Sequence, residues 1–368
     1  MRKPRLTRAR ALTISLVAGC LALIAAFGLP AVAGIRPVPT VTIGPDTDGT
    51  GAASAPAAAS GSLAAVDAVS ASDVWAVGST ASFTALVLHW NGSAWVRVPG
   101  PKGLLSLSGV AALSARDVWV VGLTKSAEYL AHWNGASWTK FASPGSVSAL
   151  SAVSTVDVWA VGTTQAGRTV TLNWNGKSWN RIASPTPSTG GVLTAVAART
   201  YTDAWAVGGN PGGSATLAER WNGLAWHRIA TPTPAGGGGL SGVAAVSASD
   251  AWAVGYTSAG KTLIEHWDGA SWRRVASPTP SGHAGLTSVA AVSATSAWAV
   301  GSSGSGKTLI LRWNGKSWSQ VSSPSPGGAG GAELNAVSAA SSSSVWAVGT
   351  EDNASAALVL RWNGTAWH

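Results

Sequence analysis

Sulfur is nearly missing from this chain, whose 368 residues include one Cys and one Met. A lone Cys20 excludes a disulfide-stapled scaffold, a thiolate zinc site and an iron–sulfur centre. Charge is scarce as well: Asp, Glu, Lys and Arg make up 11%, against about 25% in an ordinary soluble domain. No stretch carries the 3.6-residue periodicity of an amphipathic helix. A disordered chain is excluded too, because 46% of the residues are hydrophobic and 21 are Trp, side chains that have to be packed against something.

The formal charge of +9 would suit nucleic acid if it were concentrated on the folded part. It is not. Arg2, Lys3, Arg5, Arg8 and Arg10 carry five of the charges, and those beyond Gly34 are scattered singly apart from Arg273-Arg274. No basic stripe tracks a phosphate backbone, so no nucleic acid is expected. The basic cluster instead precedes an apolar run over residues 12–29, followed by Pro30 and Ala31-Val32-Ala33. That is the order of a secretory signal peptide cleaved before Gly34. Two alternatives stay open. Residues 11–33 are long enough to remain as a membrane anchor, and Val17-Ala18-Gly19-Cys20 is similar to a lipobox, which would lipidate Cys20, although the following residues stay apolar. Each version places the rest of the chain outside the cytoplasm, at the cell surface or secreted, with the membrane met only through this segment.

Residues 34–62 are rich in Pro, Thr, Ala, Gly and Ser and read as a flexible spacer. From residue 63 to 368 one motif is written seven times. Asp73-Val-Trp75-Ala-Val-Gly78 returns around Trp119, Trp159, Trp205, Trp252, Trp298 and Trp346, at spacings of 44, 40, 46, 47, 46 and 48. Each unit also carries Trp-Asn-Gly-x-x-Trp, as in Trp90–Trp95, with Asp268 replacing Asn in the fifth. Alternation, β-branched residues and a tight Asn-Gly turn give four short antiparallel strands per unit. A repeat of that period and content predicts an all-β, seven-bladed β-propeller. The last unit stops at His368, so its fourth strand is cut short. Val38–Ile43 is expected to complete it as a closing strand.

These units resemble the Trp-rich propeller repeats of secreted bacterial proteins, near the Asp-box and kelch propellers. The resemblance implies a fold and little about activity, since propellers host both enzymes and binding scaffolds. Gly78 lies five residues after Asp73, whereas an Asp box places Gly two after Asp, and this removes support for a sialidase. A kelch-type copper oxidase needs a Cys–Tyr cofactor, and no Cys follows Cys20.

The chemistry-bearing motifs are few. Gly301–Thr308 matches the phosphate-loop pattern, but strands flank it on both sides, and a hairpin turn is expected in place of a strand–loop–helix. The Asp before each Val/Ala-Trp, at 73, 117, 157, 203 and 250, gives way to Ser296 and Ser344 and is read as capping a turn. The residue before the third-strand Trp is His89, His132, Asn173, Arg220, His266, Arg312 or Arg361. It forms a polar, mostly basic ring expected to bond neighbouring-blade carbonyls. Residues that break the repeat are better site candidates: Glu128, Tyr129, Arg199, Tyr201, Tyr256 and His283 for ligand binding. Glu219 and Glu265 share one position on adjacent units, so a carbohydrate-active hydrolase could use both if they face one groove. The favoured reading is a non-enzymatic, monomeric scaffold without metal or cofactor that binds a cell-envelope glycan or protein.

Overall fold

The computed structural model describes residues 60–352 and 355–368. Residues 1–33 with Cys20, expected to direct export, most of the expected spacer and the expected closing strand lie outside these residues. Seven antiparallel sheets follow one another in chain order. The first is made of Gly61–Ser70, Asp73–Thr80, Ala85–Trp90 and Trp95–Val98, and its sheet order is the sequence order. Blades two to six repeat this four-stranded pattern. Blade seven has three strands, Ala332–Ser341, Ser344–Glu351 and Ala356–Trp362, and a stump of the fourth. There Trp367 bridges Trp362, and Arg361 and His368 exchange two backbone hydrogen bonds of 3.0 Å.

The first strand of every blade packs against the first strands of its neighbours, so it is the innermost. Antiparallel order then sends the turns between strands one and two, and between three and four, to one face, called here the hairpin face. The turns between strands two and three, and the blade-to-blade links, form the opposite, connection face. The phosphate-loop lookalike is such a turn: Ser303 pairs Lys307 across it, with strands Ser296–Ser303 and Lys307–Trp313 on either side.

The Gly of each Ala-Val-Gly has a steric cause. Strand one bulges opposite it, at Leu63/Ala65 in blade one and Leu286/Ser288 in blade six. A Cβ on Gly78 or Gly301 would meet a backbone oxygen of that strand at 1.9 or 2.0 Å. Only glycine allows the two strands to approach this closely.

The core is divided into seven clusters, each filling one junction between two blades. The second-strand Trp reaches forward into the Trp pair of the next blade. Trp205 meets Trp267 edge-tilted and Trp272 nearly perpendicular, both at 4.9 Å between ring centroids. Trp298 meets Trp362 and Trp367 at 4.8 and 5.3 Å. The ring closes with the same geometry, Trp346 standing 5.1 Å from Trp90 and 5.2 Å from Trp95. Such pairs are worth about 0.5–1.5 kcal/mol each beyond their buried area. Closure is reinforced at the inner strands, where Ala68 N donates to Ser338 Oγ at 3.0 Å and Asn335 Nδ2 to Leu63 O at 2.8 Å. Among the described residues, the first and last blades are therefore joined by side chains, in the manner of every other junction.

Candidate functional site

The hairpin face carries the chemistry, and its ring is built from a strand-to-strand pairing. Trp75 lies opposite His89 in the register of strands two and three. Asp73, two residues before Trp75, therefore comes within reach of His89, whose Nε2 stands 2.8 Å from Asp73 Oδ1. His132 meets Asp117 at 2.7 Å and His266 meets Asp250 at 2.8 Å. In blade four, Arg220 Nε donates to Asp203 Oδ1 and Arg199 Nε to Asp203 Oδ2, each at 2.9 Å. The expected turn cap is a cross-strand acid–base pair instead, and the turn itself is held by hydroxyls, as where Ser72 N donates to Ser70 Oγ. Bonding to a neighbouring-blade carbonyl occurs in blade four, where Arg220 Nη2 donates to Ala248 O at 3.0 Å.

The basic residue has a second task as a lid on the second-strand Trp. His89 stacks on Trp75 at 4.4 Å and His132 on Trp119 at 4.6 Å. The guanidiniums of Arg220, Arg312 and Arg361 lie 5.2, 5.1 and 5.0 Å from the rings of Trp205, Trp298 and Trp346. Cation–π attraction of this kind contributes about 0.5–2 kcal/mol.

Three blades break the pairing. Blade three keeps the acid and loses the base, because Asn173 donates to Asp157 Oδ1 at 2.6 Å while Asp157 Oδ2 is buried without a partner. Burial pushes the Asp157 carboxyl above the ordinary range, with the Asn173 hydrogen bond opposing it. Blades six and seven keep the base and lose the acid, with Ser296 and Ser344 in its place.

Two shallow depressions open on this face. One, of about 230 Å³, is lined by Trp159, Asp157, Asn173, Asn175, Tyr201 and Trp221, among others. The other, of about 350 Å³, is lined by Thr202, Arg220, Trp221, Asn222, His227 and Ile229. Trp221 borders both. They combine aromatic surface with several hydrogen-bonding groups, the mixture that small polar ligands require.

The residues singled out from the sequence do not converge. Tyr201 lines the smaller depression, is 57% exposed, and bonds Ser154 Oγ at 2.8 Å through its hydroxyl. Arg199 is engaged with Asp203 close by. Glu128 lies toward the connection face, where Ser146 Oγ and Val147 N of the next blade donate to its carboxylate at 2.7 and 2.6 Å. Tyr129 joins the core between blades one and two, with Lys140 Nζ 5.2 Å from its ring. Tyr256 covers Gly239, where a Cβ would sit 3.2 Å from its hydroxyl. His283 lies on the link into blade six, close against Gly260 and Gly304.

Glu219 and Glu265 are not in one groove. Both are fully buried, and none of their carboxylate oxygens has a partner at hydrogen-bond geometry, the Ser184 hydroxyl near Glu219 donating instead to Thr169 Oγ1 at 2.8 Å. Glu219 shares a strand face with Leu217 and Trp221, which fill the junction of blades three and four. Glu265 shares one with Leu263 and Trp267, in the junction of blades four and five. The blade-four sheet stands between the two carboxyls. Desolvation raises each to about 8, opposed at Glu219 by the Ser184 hydroxyl and Arg228 and at Glu265 by Arg274.

No protein-family model and no curated protein matches the sequence. Solved structures do share the fold. YCF48 from Cyanidioschyzon merolae superposes with a TM-score of 0.59 at 18% identity, over 84% of this chain and 98% of that one. A YCF48 structure bound to a D1 peptide gives 0.58 at 16%, over 86% and 96%. The GH74 xyloglucanase from Xanthomonas campestris gives 0.60 at 12%, over 84% of this chain and 54% of that one. The chain is a seven-bladed β-propeller. At such identities the likeness is one of fold alone, and the Asp-box or kelch kinship remains a resemblance of motifs. The signal the sequence holds for this pairing is the recurrence, in four units, of an Asp two residues before the second-strand Trp with a His or Arg before the third-strand Trp, without the register that brings them together.

Proposed function

We propose that this propeller is an exported, non-enzymatic binding module that recognises a glycan or protein of the cell envelope through its hairpin face. The supporting observation is the pair of polar, aromatic-walled depressions that flank Trp221 on blades three and four. Tyr201, Asn175 and His227 offer aromatic and hydrogen-bonding contacts at their rims, while Trp159 and Trp221 supply a rigid floor held by the core. The fold accommodates either ligand class, since one YCF48 structure holds a peptide and the Aleuria aurantia lectin is fucose-specific. The hydrolase alternative loses its basis with Glu219 and Glu265 buried in separate junctions, because paired glycosidase carboxyls act across a shared substrate site about 5–9.5 Å wide. Export follows from residues 1–33, and the scaffold is proposed to act as a monomer.

The test is co-sedimentation of the purified chain with isolated cell walls and a panel of insoluble polysaccharides, with the supernatant assayed for released sugar. Retention without sugar release, weakened by Tyr201→Ala and Asn175→Ala, is the expected result. Sugar release would replace binding by hydrolysis.

A further inference from the structure

We infer that blades six and seven carry two carboxylate-binding sites, formed by Arg312 with Ser296 and by Arg361 with Ser344. The internal comparison is blade four. There an Arg in the same ring position lies over its Trp and directs Nε at a carboxylate, Arg220 to Asp203 at 2.9 Å. Arg312 and Arg361 keep the same stance, 5.1 and 5.0 Å from the rings of Trp298 and Trp346, and lean also on Trp362 and Trp90 of the following blades at 5.4 Å. What they would bond is missing. Serine is shorter than aspartate, and both Ser296 Oγ and Ser344 Oγ are buried without a hydrogen-bond partner. Nε of both arginines is likewise buried and unpartnered. Among the described residues, no carboxylate or other acceptor meets either guanidinium.

A buried donor left unpaired is costly, and more so when it is charged. Two adjacent blades therefore hold the same unmet demand. A ligand carboxylate meets it, because a guanidinium presents donors in a planar fork matched to two oxygens. The surroundings favour an anion. From Ala284 to the C-terminus the acids are Glu333, Glu351 and Asp352. Glu333 pairs Thr350 and Glu351 pairs Ala332 at the connection-face end of their strands, with Asp352 in the adjoining turn. The hairpin face of blades six and seven has Arg312, Lys316 and Arg361 with no Asp or Glu side chain among them.

The experiment follows the Nε–H resonances of Arg312 and Arg361 in the ¹⁵N-labelled chain, assigned with Arg312→Lys and Arg361→Lys, as acetate replaces chloride at constant ionic strength. Saturable shifts of both resonances are expected. Ser296→Asp/Ser344→Asp supplies the carboxylate from within, with Asp203 under Arg220 in blade four as the precedent, and should weaken acetate binding at least tenfold. Oligogalacturonate and triglutamate then separate a sugar acid from a peptide acid as the source of the carboxylate. Resonances that do not respond to acetate, or that respond equally in the Asp variant, would overturn the assignment.

Discussion

Blades four and five carry an acid at two positions where blades six and seven carry none. On the hairpin face, Asp203 and Asp250 become Ser296 and Ser344. In the core, Glu219 and Glu265 become Leu311 and Leu360. The tryptophan triads are unchanged, with second-strand rings 4.8 to 5.3 Å from their partners in either pair of blades. Architecture is thus carried by the indoles and glycines. The acids are decoration on it, stabilising where they meet a base and costly where they do not.

The largest effect comes from removing an indole. Trp205→Ala and Trp298→Ala each leave a large cavity in a junction and should cost about 3–5 kcal/mol, to nearly equal extent in denaturant melts. A strong inequality would mean that the triads are not equivalent. Next come the core acids. With a folded-state pKa raised from 4.5 to about 8, each Glu stays protonated in the fold over a range where the unfolded chain ionises. Stability is then lost as pH rises from about 4.5 to 8 and is flat above. At about 1.4 kcal/mol per pH unit the loss is at most a few kcal/mol per carboxyl. Glu219→Leu/Glu265→Leu, which copies blades six and seven, should raise Tm most at pH 9 and least at pH 4. An equal gain at both pH values would show that the carboxyls are not protonated in the fold.

On the hairpin face the contrast is smaller. Asp203→Asn strips the carboxylate from two arginines and should cost about 1–3 kcal/mol. Asp157→Asn, where no cation is lost, should be within about 0.5 kcal/mol of neutral. Ser344→Ala removes an unpartnered buried hydroxyl and should be neutral or slightly stabilising in the same melts.

The repeat made the fold readable, because period, Asn-Gly turns and three indoles per unit all pointed to one architecture. The shortened last strand was readable as well. The ring was legible only in part. Asp and His or Arg stand 15 to 17 residues apart, and their meeting depends on a cross-strand register that spacing alone does not supply. Glu219 and Glu265 misled for a related reason. Equal positions on adjacent blades put both carboxyls on the same side of their own sheets, and hence in different junctions. A rule of equivalence that locates structure in a repeat separates residues that a catalytic site would need together.

The account turns on which face meets the ligand. Hydroxyl-radical footprinting of the chain, free and bound to a cell-envelope fraction, reads both faces in one experiment. Protection of Tyr201 and His227, with His283 unchanged, is the predicted result. Protection of His283 on the connection face, with Tyr201 and His227 as reactive as in the free chain, would contradict it.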